Sequence, residues 1–221
     1  MESAIWSAVI ILLIFYIYKK RRYGFVAKTT VNDKLFKKYA KLNKEATALK
    51  KQGNIEAAID KLNEAYAEAS EKELTVTIND YLRLPAYLQI AKRNDEAWSW
   101  FNKLIQQFSY DFMSLSQIYD KMRLFRQREK KNKDAIKYAV LSNIYRCMGL
   151  HQQVTKLGWD DRKEELENCK IGISVGYEKL LKKANCSELE GDLTKLIEAH
   201  IKSFPKIKVA QLIKDIEALV A

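Results

Sequence analysis

Only two prolines and seven glycines are spread over the 221 residues of the chain, and this scarcity constrains its fold more than any other feature. Proline ends or kinks helices and strands, and glycine supplies the left-handed backbone that tight turns need. Between these few breakers run long stretches of Ala, Leu, Glu, Lys and Ile. No segment shows a convincing alternation of apolar and polar residues, so the fold class is expected to be all-α. Helices are predicted over 33–51, 55–71, 74–91 (with Pro85 as a kink or break), 95–108, 112–130, 134–148, 161–183, 187–203 and 205–220, plus a short one near 151–157. Asp161-x-x-Glu164 and Ser187-x-x-Glu190 read as capping boxes. Pro205 suits the first turn of the last helix.

One stretch departs from this amphipathic pattern. From Ala4 to Tyr18 there is no charge, Gly or Pro, and Lys19-Lys20-Arg21-Arg22 follow at once. As a helix, fifteen residues reach about 22 Å against a hydrocarbon core of about 30 Å. That is short, but Met1, Ser3 and the snorkelling stems of Lys19 and Lys20 extend it. Trp6 at one end and Tyr16, Tyr18 and Tyr23 at the other fit an interfacial aromatic pattern. A secretory signal would be basic before the apolar run, whereas this flank carries Glu2 and the other side has no small-residue cleavage site. A soluble core helix would need a polar face, and the run has none. Residues 1–22 are therefore read as a transmembrane anchor with a basic flank, 23–32 as a linker, and 33–221 as a helical-repeat domain. The positive-inside rule then puts the N-terminus outside and the C-terminal domain in the cytoplasm, as a single-pass membrane protein.

The formal net charge of +11 is concentrated beside that run. Residues 19–51 hold twelve Lys/Arg and two acids, so residues 52–221 are nearly balanced. Such a segment is drawn to anionic lipid headgroups by about 1 kcal/mol per charge. Nucleic-acid binding is the rival explanation, although a nucleic-acid domain usually spreads its charge over its own folded face. The three cysteines, Cys147, Cys169 and Cys186, are widely spaced and form no C-x-x-C, which suits unpaired thiols in a reducing compartment. Asn185-Cys186-Ser187 matches a glycosylation pattern and is a chance match if this part is cytoplasmic.

The clearest internal motif is LNKEATALKKQGNIEAAIDKLNEAYAEAS. One helix carries Leu42, Ala46 and Leu49 on a single face. Gly53-Asn54 follows, and the next helix turns Ala58, Leu62, Ala65 and Tyr66 inward. This resembles a tetratricopeptide repeat, through the small Ala46, the turn Gly53, the Ala58-Ile59 pair, Leu62 and Ala65. LPAYLQIAKRNDEAWSWFNKLIQQF resembles a second, degenerate unit, with Ala97, Phe101 and Leu104 in the roles of Ala58, Leu62 and Ala65. It departs from the pattern in having Lys92 for the turn glycine and Pro85 for the small residue, and its thirty-nine-residue spacing exceeds the period of about 34. LSNIYRCMGLHQQV, with Gly149 at its turn, is a weaker third match. The motif residues are packing positions, so another helical bundle or solenoid stays open.

The resemblance implies a concave groove, lined by the first helix of each hairpin, that receives a peptide or partner helix. Lys37, Lys41, Lys44, Lys51 and Arg83 are then candidate contacts for an acidic protein partner, with a solvated face near anionic lipid as the alternative. A second basic tract places Arg123, Arg126, Lys130 and Lys133 at i, i+3, i+7 and i+10 of one helix, beside an apolar stripe of Tyr119, Met122 and Phe125. It suits phosphate, acidic peptide or RNA, or simply a solvated face. Trp98 and Phe101 share an inward face, while Trp100 points elsewhere and is expected to be more exposed. Gly172 and Gly176 suggest close helix packing.

Catalytic chemistry is hard to find. His151 and His200 are the only histidines, and there is no H-E-x-x-H, phosphate loop, G-x-S-x-G or zinc-spaced cysteine pair. No catalytic residue, cofactor or metal ligand is assigned. The expectation is a membrane-anchored scaffold or adaptor that binds a protein partner at the cytoplasmic face. A basic helical module binding nucleic acid near the membrane, or an enzyme with an unrecognised site, are the alternatives.

Overall fold

A computed structural model describes residues 36–221, and every regular element among them is helical. The chain divides into a first unit that ends at Val76 and a second, Thr77–Ala221. No helix among the described residues is long and apolar enough to cross a membrane. The apolar run at 4–18, its basic flank and the linker at 23–32 lie outside the described residues.

In the first unit, α1 (36–51) turns Tyr39, Leu42 and Ala46 inward at helical spacing. Asn43 shares that buried face and donates to the Tyr39 carbonyl at 3.1 Å, which satisfies its amide. The second helix, α2 (Ile55–Glu71), buries Ala58, Ile59, Leu62, Ala65, Tyr66 and Ala69. Lys38 on α1 pairs with Glu68 on α2 at 2.6 Å, as two antiparallel helices require. Between them Gly53 takes φ +81°. Its N–H donates to Lys50 O (3.1 Å), and Asn54 N–H donates to Leu49 O (3.0 Å). This is a left-handed helix end in which two orphan carbonyls find donors.

The second unit repeats that turn with lysine in place of glycine. Lys92 (φ +61°) closes with Lys92 N to Gln89 O (3.1 Å) and Arg93 N to Leu88 O (2.9 Å). Lys130 (φ +62°) closes with Lys130 N to Gln127 O (3.1 Å) and Lys131 N to Arg126 O (2.9 Å). In each case a helix begins two residues later, and the fifth residue onward is a fully buried alanine: Ala58, Ala97 and Ala135. These turns join α4 (Arg83–Ile90) to α5 (Asn94–Gln107) and α6 (Phe112–Arg128) to α7 (Asn132–Leu157).

The predicted helix at 74–91 is two pieces, α3 (Ile78–Tyr81) and α4, parted at Leu82. Pro85 is the third residue of α4, and proline lacks the N–H that would bond the carbonyl four residues back. That carbonyl belongs to Tyr81, and the Trp100 indole N–H donates to it at 3.1 Å. Trp100 is therefore half-buried rather than exposed. Trp98 meets Phe101 (5.5 Å between ring centres) and Phe125 (5.1 Å), so the shared face of Trp98 and Phe101 is a packed one.

The long helix α7 is the spine of the second unit. It does not stop at Gly149 but runs on to Leu157 and ends at Gly158, φ +68°. Gly149 is a packing residue: a Cβ there would lie 2.6 Å from Met113 Sδ at the start of α6. Farther along, Ser116 Oγ donates to Ser142 O (2.8 Å) and Ser142 Oγ donates to Ser116 O (2.9 Å), which ties α6 to α7 through small side chains.

Four shorter helices pack on α7: α8 (Lys163–Gly172), α9 (Glu178–Ala184), α10 (Glu190–Ile201) and α11 (Val209–Val220). The predicted helix at 161–183 is broken between α8 and α9. Gly176 takes φ +91°, and Tyr177 OH donates back to Ile173 O at 2.8 Å. Gly172 and Gly176 have nothing within 4 Å of where a Cβ would sit, so neither is a packing residue: Gly172 is the last residue of α8 and Gly176 lies in the segment before α9. Neither expected capping box forms. Asp161 and Ser187 lie inside short 3₁₀ turns, and the helices that follow have no side-chain cap. Pro205 precedes α11 rather than opening it, in a turn closed by Phe204 N to Ile201 O and Lys206 N to Ser203 O, both 2.8 Å. That turn lets Ile207 reach the core before α11 begins.

Candidate functional site

The second basic tract does not form one stripe. α6 ends at Arg128, Lys130 sits in the turn, and Lys133 lies in the first turn of α7. Its two arginines face inward onto fixed partners. The Arg126 guanidinium lies 4.0 Å from the centre of the Trp98 ring. It also pairs with Glu129 at 2.8 Å and Asp134 at 3.6 Å. Arg123 bonds Asp120 through Nε (2.9 Å) and Nη2 (2.6 Å), and Gln127 through Nη1 (3.2 Å). Arg83 donates to Tyr87 OH at 3.2 Å and lies over that ring. These arginines are packing and pairing residues. The apolar stripe beside them, Tyr119, Met122 and Phe125, is buried as expected.

The lysines behave differently. Lys130 and Lys133 line a cavity of about 510 Å³ with Lys131 and Asn132, between the α6–α7 turn and the end of α9. Lys183 and Asn185 form the opposite wall, and Asn132 Nδ2 donates to Lys183 O at 2.9 Å across the gap. Four lysines thus line the cleft against one acidic residue, Asp134, whose charge is already shared with Arg126. Lys133 Nζ donates to the Ala221 carbonyl at 3.1 Å. Among the described residues, Lys130, Lys131 and Lys183 have no acidic partner within salt-bridge reach.

Lys130 also holds a left-handed backbone conformation, which costs an L-residue with a Cβ about 1–2 kcal/mol. Glycine would relieve that strain, as Gly53 does in the first unit. The arrangement can take a carboxylate or phosphate group, since several lysines line the cleft beside the N–H groups of a helix start.

Lys37, Lys41 and Lys44 are exposed on α1 in the first unit, and Lys41 approaches Glu45 at 3.9 Å. Lys51, at the end of α1, is exposed as well. The lysine cleft in the second unit contains none of these, and of the positions anticipated from sequence it brings together only Lys130 and Lys133. Lys131 was legible as the neighbour of Lys130. Lys183 was not, because its place depends on the break between α8 and α9.

Nothing around the histidines is assembled for nucleophilic catalysis. His200 Nε2 lies 2.8 Å from Asp215 Oδ2, but the adjacent Ser203 hydroxyl donates to the His200 carbonyl rather than to the ring. His151 packs edge-on against Phe204 at 5.1 Å. Tyr119 stacks between Tyr138 (6.4 Å) and Tyr145 (5.2 Å), and burial pushes its phenol far above the ordinary range. Among the described residues no cluster of three His, Cys, Asp or Glu side chains is arranged to hold a metal.

No protein-family model, no curated protein and no solved structure matches the chain.

Proposed function

We propose that this protein is a membrane-anchored helical scaffold whose lysine cleft receives an acidic segment of a protein partner at the cytoplasmic face. The observation that carries the reading is the cleft itself. Lys130, Lys131 and Lys183 stand together without acidic partners among the described residues, and Lys130 does so at a turn position where its side chain adds backbone strain. A strained residue whose side chain lines a polar cleft favours a binding role over a purely structural one. The anchor and the orientation rest on the apolar run at 4–18 and on Lys19-Lys20-Arg21-Arg22. The three equivalent turns support a resemblance to tetratricopeptide hairpins, although their spacings of thirty-nine and thirty-eight residues exceed the period of about 34.

The test uses the full-length protein and two probes of matched charge, a fluorescent oligoglutamate peptide and a single-stranded oligonucleotide. The peptide should bind, and binding should weaken as salt rises through the physiological range. Changing Lys130, Lys131 and Lys133 together to Ser should weaken it by about tenfold or more. Equal binding by the triple variant would remove the cleft as the site. Preferred binding of the oligonucleotide would replace the protein-partner reading with the nucleic-acid one.

A further inference from the structure

The sequence shows three cysteines with no redox spacing, yet the fold brings two of them together. Cys147 lies at the centre of α7 with no exposed surface, and Cys169 on α8 is half-buried against the same core. The register between the two helices is set next to them: Arg146 Nη2 on α7 pairs with Glu165 Oε1 on α8 at 3.1 Å. Cys169 shares a cavity wall with Asn143 and Arg146, which lie four residues and one residue before Cys147, so α8 carries its thiol onto the stretch of α7 that holds Cys147. On its outer side Cys169 forms part of the wall of a cavity of about 440 Å³, together with Asn143, Arg146, Glu165 and Asn168. One sulfur is thus open to a small reagent and the other stands behind it.

We propose that Cys147 and Cys169 form a peroxide-reactive dithiol, in which Cys169 takes the oxidant and Cys147 closes a disulfide between α7 and α8. The Cys169 thiolate attacks one peroxide oxygen, the O–O bond breaks, and Cys169 becomes a sulfenic acid as hydroxide leaves. Cys147 then attacks the Cys169 sulfur. The S–O bond breaks, the S–S bond forms, and the Cys147 proton leaves with the oxygen as water. One peroxide is reduced to two waters and one dithiol is oxidised. A low-molecular-weight thiol reverses the change by exchange.

The surroundings suit this division of roles. Donation from Cys147, and then the charge of Arg146, hold the Cys169 thiol below the usual thiol range. The same contact and burial push the Cys147 thiol up. Asp161, Glu164 and Glu165 also line the cavity, while its one arginine is paired. That acidic wall admits a small neutral peroxide more readily than an anionic disulfide such as glutathione disulfide. Cys186 is buried with its sulfur toward the Ala184 carbonyl, and it serves as an internal control.

The experiment treats reduced full-length protein with a small excess of hydrogen peroxide, then denatures, alkylates and digests it. Two of the three thiols should be lost, a Cys147–Cys169 linked peptide should be lighter by two hydrogens than the reduced pair, and a thiol reductant should restore both. Glutathione disulfide at the same concentration should close the pair more slowly. In Cys147→Ala the reaction should stop at Cys169, trapped as a dimedone adduct. The native protein decides the question even if that core variant fails to fold. Retention of all three thiols, or a linked pair that includes Cys186, would overturn the proposal, and closure by glutathione disulfide at an equal rate would overturn its selectivity.

Discussion

Five helices in the described residues end in the same left-handed turn, but only three of these turns fold the chain straight back into a hairpin. At Gly53, Lys92, Lys130, Glu73 and Asn185 the residue has positive φ, and the next N–H reaches the carbonyl five positions back. After the first three, the fifth residue onward is a buried alanine and a new helix is already under way. After Glu73 the fifth residue is Ile78, where α3 only begins. After Asn185 it is Glu190, exposed at the end of a 3₁₀ turn. The turn ends a helix by satisfying its last carbonyls. What makes the chain fold back at once is the small apolar residue in the first turn of the next helix, where the two helices come close.

That contrast can be broken most sharply at the alanines. Ala97→Glu or Ala135→Glu places an unpaired charge in a position with no exposed surface, and each should cost about 3 kcal/mol or more. Ala58→Glu should do the same within the first unit. Glu190→Ala, at the corresponding exposed position, should change stability by no more than about 0.5 kcal/mol. Thermal and urea melts of the full-length protein measure all four. Alanine variants that melt like the native protein would mean that the buried small residue does not direct the hairpin.

A smaller effect is expected from two arginines of α6, of which Arg126 reaches across to the second hairpin and Arg123 pairs within its own helix. Arg126 covers the Trp98 ring and pairs with Glu129, and both side chains of that pair are largely buried. Arg126→Met keeps much of the packing but leaves Glu129 with less charge compensation, for a loss of about 1–3 kcal/mol. Arg123→Met breaks a more exposed pair with Asp120 and should cost about 1 kcal/mol or less. Equal losses at the two sites would show that the pairing around Trp98 contributes nothing special.

The same contrast explains what the sequence made legible. Both ends of α2 are legible in the sequence, because Gly53-Asn54 before it and the Ala58, Leu62, Ala65 and Tyr66 face within it agree. The core roles of Ala97, Phe101 and Leu104 were legible for the same reason. Gly149 points to a third hairpin turn because glycine is the usual signal for one. The turn in fact lies at Lys130, and no composition rule points to a lysine with positive φ. Gly149 is instead spent on a close helix crossing against Met113. In the C-terminal half, the breaks after Gly172 and before Glu190 depend on hydrogen bonds such as Tyr177 OH to Ile173 O, which become visible only when distant segments meet. The lysine cleft was half legible: Lys130 and Lys133 come from one segment, and Lys183 arrives with α9.

Exchanging the turn residues sharpens the comparison further. Lys92→Gly removes a Cβ from a left-handed position but loosens the unfolded chain, so a net gain of up to about 1 kcal/mol is expected. Gly53→Lys should lose about 1 kcal/mol, since the backbone there is left-handed while nothing lies within 4 Å of a new Cβ. Lys130→Gly should gain as much stability as Lys92→Gly and at the same time weaken binding of an acidic peptide. A stability gain with undiminished binding would separate the strain at Lys130 from any role in the cleft.

The smallest effect is expected where a hairpin lacks this turn altogether. α10 and α11 are joined through the segment after Ile201 and are linked by a polar contact, His200 Nε2 to Asp215 Oδ2 at 2.8 Å. The Gln211 amide donates to the other Asp215 oxygen at 2.7 Å. Gln211 first, and then His200, hold the Asp215 carboxyl below the 3.8 of an ordinary aspartate. A depressed carboxyl pKa means that the unfolded chain binds the proton more readily than the folded one. The contribution is therefore fully present above the unfolded value, and it is lost as pH falls through 3.8 and then through the lower folded value. Because about a third of the Asp215 side chain is open to solvent, the effect should be small and should shrink further in high salt. Melts of native protein and Asp215→Asn should differ slightly at neutral pH and converge as pH falls below the ordinary 3.8 of an aspartate. The hairpin turns at Lys92 and Lys130, closed by backbone hydrogen bonds alone, should show no such convergence in their glycine variants. A gap for Asp215→Asn that stays constant down to low pH would mean that its effect comes from hydrogen-bond geometry and not from the charge.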